Sequence, residues 1–294
     1  MNVRLSLVMA TLGRTAEIDR CVDSLAAQTC RDFELIVVDQ NPDDRLVPVL
    51  ARARALGLEC RHLRQSEPNQ CLARNTGVEA SRGGIVAFPD DDCWYEPDVV
   101  ERVLTRFEEQ HGLDGLVIQW AEQLAANKPS EPRRFSFSEF ARMRGPTASC
   151  ITLFFGRSIL REVGNFDLAL GLHSWYGAGE ETDLFLRILY ADAVVEFDPT
   201  IHVHHPLATP TSLPPARMFA GTRRRARGTG ALYARHPLPV WVIVRGLLSP
   251  WAKALLNAFK PREAAQKLGL AIGRLEGYVG WLLGYRAGRK RGAP

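Results

Sequence analysis

Residues Gly84–Asp98, GIVAFPDDDCWYEPD, predict a buried strand that ends at a cluster of carboxylates. GIVAF is a short, continuous apolar run, which is typical of a strand covered on both faces. The three acids Asp90–Asp92 follow it after a single proline, and Pro97 then opens a helix that runs to about Glu109. A strand, an acidic turn and a helix in this order indicate an α/β fold with polar groups at a strand end.

The residues before this stretch alternate between strands and helices. Buried strands are predicted at Leu5–Ala10 and Phe33–Val38, and a further strand at Glu59–Leu63. Helices are predicted at about Thr15–Gln28 (with Thr15 as its cap), Leu46–Leu56 and Gln70–Ala80. This alternation implies right-handed crossovers and a parallel sheet. Ligands of such sheets bind beyond the carboxyl ends of the strands, here residues 10–14, 39–44 and 89–92.

The chain from 113 to 205 is less regular. Strands are predicted at Leu116–Trp120, Ile151–Phe155 and Val194–Phe197, a polar loop at Lys128–Arg134, and a helix from near Gly179 to Leu189. Pro199 is expected to end the last strand, because proline cannot donate a ladder hydrogen bond.

Composition excludes several classes of protein. The chain has 294 residues, of which 46% are hydrophobic, so it is neither disordered nor collagen-like. Its six cysteines include no CxxC pair, which argues against a zinc site and a disulfide scaffold and favours reduced thiols in a cytosolic protein. The apolar run near the N-terminus is too short for a signal peptide and leads directly into a strand.

The net charge of +4 conceals two oppositely charged parts. Residues 1–216 carry 21 basic and 31 acidic side chains, whereas residues 217–294 carry 16 basic side chains and only two acids, Glu263 and Glu276. An acidic body with a basic extension predicts contact with a polyanion, either an anionic membrane surface or nucleic acid.

Two apolar stretches of the extension, Leu238–Phe259 and Leu268–Tyr285, are interrupted by charges and by Pro250. Neither reaches the ~20 clean apolar residues of a membrane span. Their tryptophans and arginines suit helices in the plane of a membrane interface: Trp241, Trp251, Trp281 and Tyr285 would lie at headgroup level. An ordinary helical subdomain with a basic rim is the alternative. No nucleic-acid recognition motif accompanies the arginine run 223–225, so no nucleic-acid partner is expected.

Three adjacent carboxylates at Asp90, Asp91 and Asp92 repel one another unless a cation neutralises them. Mg²⁺ and Mn²⁺ prefer oxygen ligands and are held by one or two carboxylates together with substrate phosphates. The acidic turn therefore either docks a metal–diphosphate or simply caps the following helix in solvent.

Five segments together resemble family 2 glycosyltransferases, over about residues 1–205. They are SLVMATLGR (6–14), VVDQNPDD (37–44), LARNTGV (72–78), the DxD-type FPDDDCWYEPD (88–98), and GAGEETDLFLRIL (177–189) with GNFD (164–167) upstream. The resemblance implies a GT-A fold: a Rossmann-like, mostly parallel central sheet flanked by helices. It would occupy residues 1–216, with a nucleotide-sugar half at about 1–112 and an acceptor half at about 113–216, followed by the basic helical extension 217–294.

The resemblance implies sugar transfer from a nucleotide donor, with a UDP-sugar favoured and with inversion at the anomeric carbon. It assigns the donor site to the strand ends and to LARNTGV, that is to Thr11, Arg14, Asp39, Arg74, Asn75, Asp90 and Asp91. Asp39 could accept a hydrogen bond from the nucleobase or ribose, or it could form the turn with Asn41 and Pro42. Arg74 could reach the diphosphate or lie exposed on its helix.

The metal site implied by the resemblance combines acids and a histidine. Asp90 and Asp92 would anchor Mn²⁺ or Mg²⁺, and a histidine after the last strand would approach the metal. Alternation places His202 and His204 on one side and His205 on the other. His205 and His204 both rank ahead of His202 as ligands.

An inverting transfer needs one general base on the acceptor side. Alignment with the family pattern puts Glu181 at the position of the catalytic aspartate, one methylene longer than usual, and leaves Glu180 and Asp183 as alternative bases. These acids would also stabilise the start of their helix. Trp175 and Tyr176 would stack on the acceptor sugar, or fill the core.

The sequence thus predicts a metal-dependent inverting glycosyltransferase that glycosylates a hydroxyl of a glycan or lipid-linked acceptor, in the synthesis of cell-surface polysaccharide or glycolipid. It would be a cytoplasmic enzyme, peripheral on the inner face of the cell membrane. The alternatives are a non-catalytic membrane-associated scaffold of the same fold and a sugar-nucleotide nucleotidylyltransferase. The latter would carry a glycine-rich phosphate loop after the first strand, where ATLGRT has a single glycine.

Overall fold

The computed structural model describes residues 3–124, 131–143, 148–207 and 213–284. Its strands form one sheet in the order β3-β2-β1-β4-β8-β6-β9-β5, with β7 paired to β9. The strands are β1 (Leu5–Thr11), β2 (Phe33–Asp39), β3 (Cys60–Arg64), β4 (Ile85–Ala87), β5 (Trp94–Tyr95), β6 (Gly115–Trp120), β7 (Arg133–Arg134), β8 (Leu153–Gly156) and β9 (Val195–His204).

Helices connect these strands and form the C-terminal segment. They are α1 (Ala16–Ala26), α2 (Val47–Ala55), α3 (Gln70–Ala80), α4 (Val99–Glu109), α5 (Ala121–Leu124), α6 (Phe137–Phe140), α7 (Arg157–Val163), α8 (Glu180–Tyr190), α9 (Pro215–Arg235), α10 (Val240–Leu256) and α11 (Pro261–Leu282).

The N-terminal half of the sheet is parallel, as the strand–helix alternation predicts. β1 lies between β2 and β4, and β2 pairs with β3, all in parallel register. Every residue of β2 is buried, which agrees with its mostly apolar sequence, FELIVVD. Beyond β4 the pairing is mixed, because β8 runs antiparallel to both β4 and β6 while β9 runs parallel to β6.

Pro199 does not end the last strand, contrary to expectation. β9 continues to His204, and its pairing with β6 jumps from Ile118 opposite Asp198 to Gln119 opposite His202. Pro199 thus lies in a bulge that takes no part in the ladder, so its missing N–H costs no hydrogen bond. The bulge lets β9 continue past Pro199 to His204, so that His205, the next residue, reaches the acidic turn.

Two smaller expectations also differ from the structure. Thr15 occupies the N-cap position of α1, but its side chain makes no capping hydrogen bond. The strand expected from Ile151 begins only at Leu153, because Cys150–Thr152 form a 3₁₀ turn. Both differences lie at element boundaries, where a single turn of backbone decides the assignment.

Helix α3 packs directly on β1. A Cβ atom built on Gly77 would lie 2.2 Å from Cγ1 of Val8, so only glycine allows the helix to approach the strand this closely. This contact places the residues of LARNTGV beside the carboxyl end of β1.

Packing divides the chain into two compact units. The first unit contains the sheet and comprises residues 1–137, 146–165 and 187–208. The second comprises 138–145, 166–186 and 209–294, so parts of the predicted acceptor half pack with the C-terminal helices. The extension was predicted to begin at 217; α9 begins at Pro215.

Within the second unit, α11 packs closely along α9. Gly269, Gly273 and Gly277 lie one turn apart on α11, and a Cβ on any of them would fall within 3 Å of a backbone oxygen of α9. Among the described residues, no helix is long and apolar enough to cross a membrane.

Candidate active site

The acidic turn after β4 is held against the end of β1. Thr11, the last residue of β1, donates a hydrogen bond from Oγ1 to Oδ2 of Asp91 at 2.6 Å. Arg14 Nη1 donates to Asp91 Oδ1 at 2.8 Å and also pairs with Asp92. Burial raises the pKa of Asp91, although the bonds from Thr11 and Arg14 oppose that rise. Asp91 is therefore the carboxylate that anchors the turn to the end of β1.

Asp90 is the more exposed carboxylate of the turn. Its Oδ1 accepts a hydrogen bond from Arg74 Nη2 at 3.1 Å, and the Arg74 side chain is only 4% exposed. Arg74 lies on α3 and is followed by the half-buried Asn75. The expected alternative, an exposed helical arginine, does not describe Arg74, since its guanidinium is enclosed beside the acidic turn.

Asp92 meets His205 across the site. Nε2 of His205 lies 3.0 Å from Oδ1 of Asp92, yet this buried oxygen has no partner of hydrogen-bonding geometry among the described residues. Burial alone would raise the pKa of Asp92, but its contacts with His205 and Arg14 lower it. The same contact raises the pKa of His205.

Asp92 and His205 form a group that could hold a metal ion together with Cys93. Cys93 is not among the metal ligands predicted from the sequence. Burial strongly raises the pKa of its thiol, which disfavours the thiolate that would be the metal ligand. The remaining donors, a carboxylate oxygen and an imidazole nitrogen, fit Mn²⁺ or Mg²⁺ better than a thiol-loving ion.

His204 faces a different group of residues from His205. Its Nδ1 lies 3.0 Å from Glu122 Oε1 and its Nε2 lies 3.6 Å from Glu96 Oε1, while its ring stacks on Trp94. His202 also contacts Glu96, at 3.4 Å. The structure thus separates the two histidines that the sequence ranked together, and brings only His205 to the acidic turn.

Asp39 ends β2 and is fully buried. Its Oδ1 accepts bonds from the backbone and side-chain nitrogens of Asn41, at 2.9 and 2.8 Å. Its Oδ2 lies 2.9 Å from His62 Nε2 and 3.2 Å from Arg64 Nη1. Both carboxylate oxygens therefore already have partners, and contact with a nucleobase requires one of these partners to move away.

The predicted acceptor-side acids lie in the first turn of α8, in the second unit. Asp183 is fully buried, and its Oδ1 lies 2.9 Å from His236 Nε2 and 3.0 Å from Arg235 Nε. Glu180 is buried, whereas Glu181 is partly exposed. Of the three residues, Glu181 is the most exposed.

The two aromatic residues before α8 differ in their surroundings. Tyr176 is completely buried in a cluster with Leu170 and Ala231, so its ring fills the core, which was the alternative to sugar stacking. Trp175 is half-buried at the edge of that cluster, and the Arg227 guanidinium lies 4.4 Å from its ring centroid.

Helix α10 exposes an apolar face. Val242, Gly246 and Pro250 are its buried residues, and the opposite face exposes Trp241, Val244, Leu248, Trp251 and Leu255, continued by Phe259. The guanidinium of Arg245 lies 4.9 Å from the ring centroid of Trp241. The two acids of the extension are both paired, Glu276 with Arg223 and Arg227 and Glu263 with Lys260.

Known proteins resemble this chain at the levels of sequence and fold. The curated protein "Putative glycosyltransferase EpsH" of Bacillus subtilis is 31% identical over 100 residues, which are 34% of this chain and 29% of that protein. A "PGL/p-HBAD biosynthesis glycosyltransferase" of Mycobacterium tuberculosis is 36% identical over 101 residues, 33% of this chain and 39% of that one. The aligned segments thus span only about a third of these relatives.

Solved structures resemble nearly the whole chain. Mannosyltransferase PcManGT from Pyrobaculum calidifontis, in complex with GDP-Man and Mn²⁺, has a TM-score of 0.66 at 14% identity, covering 96% of this chain and 88% of that one. S. aureus TarS 1–349, in complex with UDP-GlcNAc, has a TM-score of 0.58 at 15% identity, covering 96% and 92%. Identities this low establish the fold alone, and the predicted GT-A fold is confirmed.

The family assignment follows from the sequence itself. The profile described as "Glycosyl transferase family 2" matches residues 6–164, from β1 through the acidic turn and β6 to the end of α7. This match covers more than half of the chain, and the chain therefore belongs to glycosyl transferase family 2.

Proposed function

We propose that this protein is a metal-dependent inverting glycosyltransferase that moves a sugar from a nucleotide sugar to a hydroxyl of a glycan or lipid-linked acceptor. The observation that carries the proposal is the pairing of Asp92 with His205 on an acidic turn that Thr11, Arg14 and Arg74 hold in place. A UDP-sugar is the favoured donor, and the synthesis of cell-surface polysaccharide or glycolipid is the favoured setting.

Asp90, Asp92 and His205 would hold Mn²⁺ or Mg²⁺. Such an ion, when bound, neutralises charge on a diphosphate and so eases departure of the nucleotide. The buried Oδ1 of Asp92, which lacks a hydrogen bond among the described residues, supports this assignment. His204 would not be a ligand, because Glu122 and Glu96 engage both of its ring nitrogens.

The chain's own residues would then orient the donor. Arg74 lies beside Asp90, where its guanidinium can bind diphosphate oxygens as a fork. Asp91 keeps the turn in position through Thr11 and Arg14 and need not touch the donor itself. Asn75 and Asp39 would border the nucleoside. Asp39 would bind it in place of one of its present partners, which are Asn41, His62 and Arg64.

Glu181 is the proposed general base. An inverting transfer is a single displacement, in which a carboxylate takes the proton of the acceptor hydroxyl as it attacks. Glu181 is partly exposed, whereas the carboxylate of Asp183 is occupied by Arg235 and His236. Trp175 is the aromatic residue left to stack on an acceptor sugar, since Tyr176 is buried.

The first test is donor binding. Thermal melting with a panel of UDP- and GDP-sugars, with and without Mn²⁺, should show stabilisation by one donor that depends on the cation. The variant His205→Asn should lose the cation-dependent part. A protein that no nucleotide and no cation stabilises would instead be the non-catalytic scaffold.

The second test is transfer itself. Glu181→Gln should abolish transfer while leaving donor binding intact, with Glu180→Gln and Asp183→Asn as the companion variants. NMR of the product should show an inverted anomeric centre. Retention of configuration would refute the single displacement, and full transfer by Glu181→Gln would assign the base to Glu180 or Asp183.

The second unit is proposed to rest on an anionic membrane surface, at the inner face of the cell membrane. The exposed apolar face of α10 carries two tryptophans, one of them beside Arg245, and both acids of the extension are already neutralised by basic neighbours. An interfacial helix combines these features, since each basic residue adds about 1 kcal/mol near an anionic leaflet.

Flotation with phosphatidylglycerol vesicles tests this surface on the full chain. Replacing Trp241, Leu248 and Trp251 by serine should abolish flotation, whereas serine at Val47 and Leu56, which are exposed on or beside α2, should not. Equal flotation of both variants would refute the proposal. A wild-type dimer that the α10 variant converts to a monomer, without any vesicle binding, would assign the face to a second copy of the chain instead.

A further inference from the structure

We propose that Trp120 and Glu122 are positioning residues that hold His205 in the orientation needed to bind the cation. The inference rests on the proposed function insofar as it takes His205 as a metal ligand. Neither residue belongs to the motifs of the sequence analysis.

The two residues hydrogen-bond to the peptide groups on either side of His205. Trp120 donates a hydrogen bond from its indole Nε1 to the carbonyl oxygen of His205 at 3.1 Å. Glu122 accepts a bond at Oε2 from the backbone N–H of His205, also at 3.1 Å. His205 lies just beyond the end of β9, where the sheet no longer supplies these partners, so side chains replace the ladder.

The same tryptophan restricts the imidazole ring. The rings of Trp120 and His205 meet edge to face, with centroids 5.1 Å apart and an angle of 78°. On its far side, Nδ1 of His205 lies 2.8 Å from the carbonyl oxygen of Pro206. Because a carbonyl oxygen can only accept, Nδ1 carries the proton, and Nε2 is the nitrogen turned towards Asp92.

Glu122 is itself held by a second set of contacts. Its other oxygen, Oε1, lies 3.0 Å from Nδ1 of His204. The His204 ring stacks nearly parallel on Trp94, and the guanidinium of Arg20 also lies over that indole, 3.1 Å from its centroid. His204 is thus a support for Glu122, which gives it a place in the site without contact with the cation.

Strand pairing explains why these residues meet. β6 and β9 run parallel, with Trp120 opposite Val203, so the residues that follow each strand leave the sheet side by side. Glu122 follows β6 directly in the short helix α5, and His205 follows β9. The site that binds the donor would therefore depend on Trp120 at the end of β6 and on Glu122 in the helix after it, both outside the parallel half of the sheet.

The experiment measures Mn²⁺ affinity by calorimetry and by EPR of free Mn²⁺, on the full chain and in the presence of UDP. Trp120→Phe removes the indole N–H and keeps an aromatic ring, and Glu122→Ala removes both carboxylate oxygens. We expect each to weaken Mn²⁺ binding by about 10- to 100-fold, the usual effect of losing a residue that orients a metal ligand. Binding of UDP without cation should be unchanged.

Trp251→Phe and Glu101→Gln are the matched controls. Trp251 is exposed on α10 and Glu101 accepts a hydrogen bond from Thr29, and neither residue contacts His204 or His205 among the contacts that the structure describes. Both should bind Mn²⁺ as the wild type does. Melting temperatures of all variants are compared with that of the wild type. If Glu122→Ala is unstable, Glu122→Gln replaces it. Glu122→Gln retains an acceptor for the His205 N–H, so it should weaken Mn²⁺ binding less.

His205→Asn distinguishes a failure of the positioning role from a failure of the proposed metal site. If His205→Asn weakens Mn²⁺ binding while Trp120→Phe and the stable Glu122 variant bind it normally, the positioning role is refuted and the proposed function stands. If His205→Asn itself binds Mn²⁺ normally, the proposed metal site fails, and this inference fails with it.

Discussion

Nε2 of His236 lies 2.9 Å from Oδ1 of Asp183, and this contact joins the end of α9 to the first turn of α8. Asp183 is fully buried and is also paired with Arg235, whose guanidinium continues to Asp167. The contact therefore ties the turn that carries Glu181 to a helix of the C-terminal extension. A basic segment that the sequence connects with membranes also stabilises the proposed catalytic turn.

We predict that Asp183→Asn destabilises the protein. Removing the charge from a buried, paired carboxylate leaves Arg235 and His236 without their partner, and we expect a loss of roughly 3 kcal/mol in the free energy of unfolding. Urea denaturation measures it. Glu181→Gln, in the same turn but partly exposed, should leave stability within about 0.5 kcal/mol. An inactive Asp183→Asn protein of wild-type stability would point to a direct catalytic role for Asp183.

Gly77→Ala should also destabilise, because its new methyl group would overlap Val8 in the centre of the sheet. Overpacking of this kind costs about 1–3 kcal/mol. Gly84→Ala is the control, since a Cβ there would meet no atom within 4 Å. Equal denaturation midpoints for the two variants would show that α3 shifts freely on β1.

The acid sensitivity of the fold should depend on Glu34. Burial alone would raise its pKa, but hydrogen bonds from the backbone and side chain of Arg82 and from Ser6 lower it overall. A carboxylate with a depressed folded-state pKa stabilises the protein above the ordinary glutamate value of about 4.3, and this contribution is lost as the pH falls through the lower value.

Denaturation curves of the wild type and Glu34→Gln between pH 7 and pH 3 test this. The difference in their unfolding free energy should be largest at neutral pH and should shrink below about pH 4.3. A difference that stays constant with pH would exclude Glu34 as a source of acid sensitivity.

The contact between α9 and α11 predicts a fourth effect. A Cβ on Gly277 would lie 1.9 Å from the carbonyl oxygen of Arg227, so Gly277→Ala must push the helices apart. Gly221→Ala, on an open face of α9, should instead stabilise by about 0.5–1 kcal/mol, because alanine favours helix over glycine. Limited proteolysis and thermal melting compare the two, and equal behaviour would contradict the close packing.

The parallel half of the fold could be predicted almost residue by residue. Mostly apolar runs such as FELIVV indicate buried strands, and α3 was predicted with its observed bounds, Gln70–Ala80. Prediction was wrong where a tertiary contact overrides a local signal. Pro199 reads as a strand breaker, but the bulge opposite Ile118 and Gln119 accommodates it.

The site could likewise be predicted only as far as local signals reach. The ends of the predicted strands alone indicated Thr11, Asp39 and the acidic turn as site residues. They could not distinguish His204 from His205, because both lie at the end of the same strand and their partners are distant in the sequence. Trp120 and Glu122 were missed for a similar reason, although Glu122 also follows a strand end and that signal was available. The burial of Asp183 depends on residues more than fifty positions away, which no local pattern contains.

The bulge at Pro199 has a consequence for how this strand can change over evolutionary time. Residues between Asp198 and His202 are outside the ladder, so gaining or losing one amino acid there leaves the downstream pairing intact. The same event between His202 and His205 would exchange the two sides of the strand and direct the wrong imidazole at Asp92. Related sequences should accordingly vary in length before the histidines and keep a constant spacing within them.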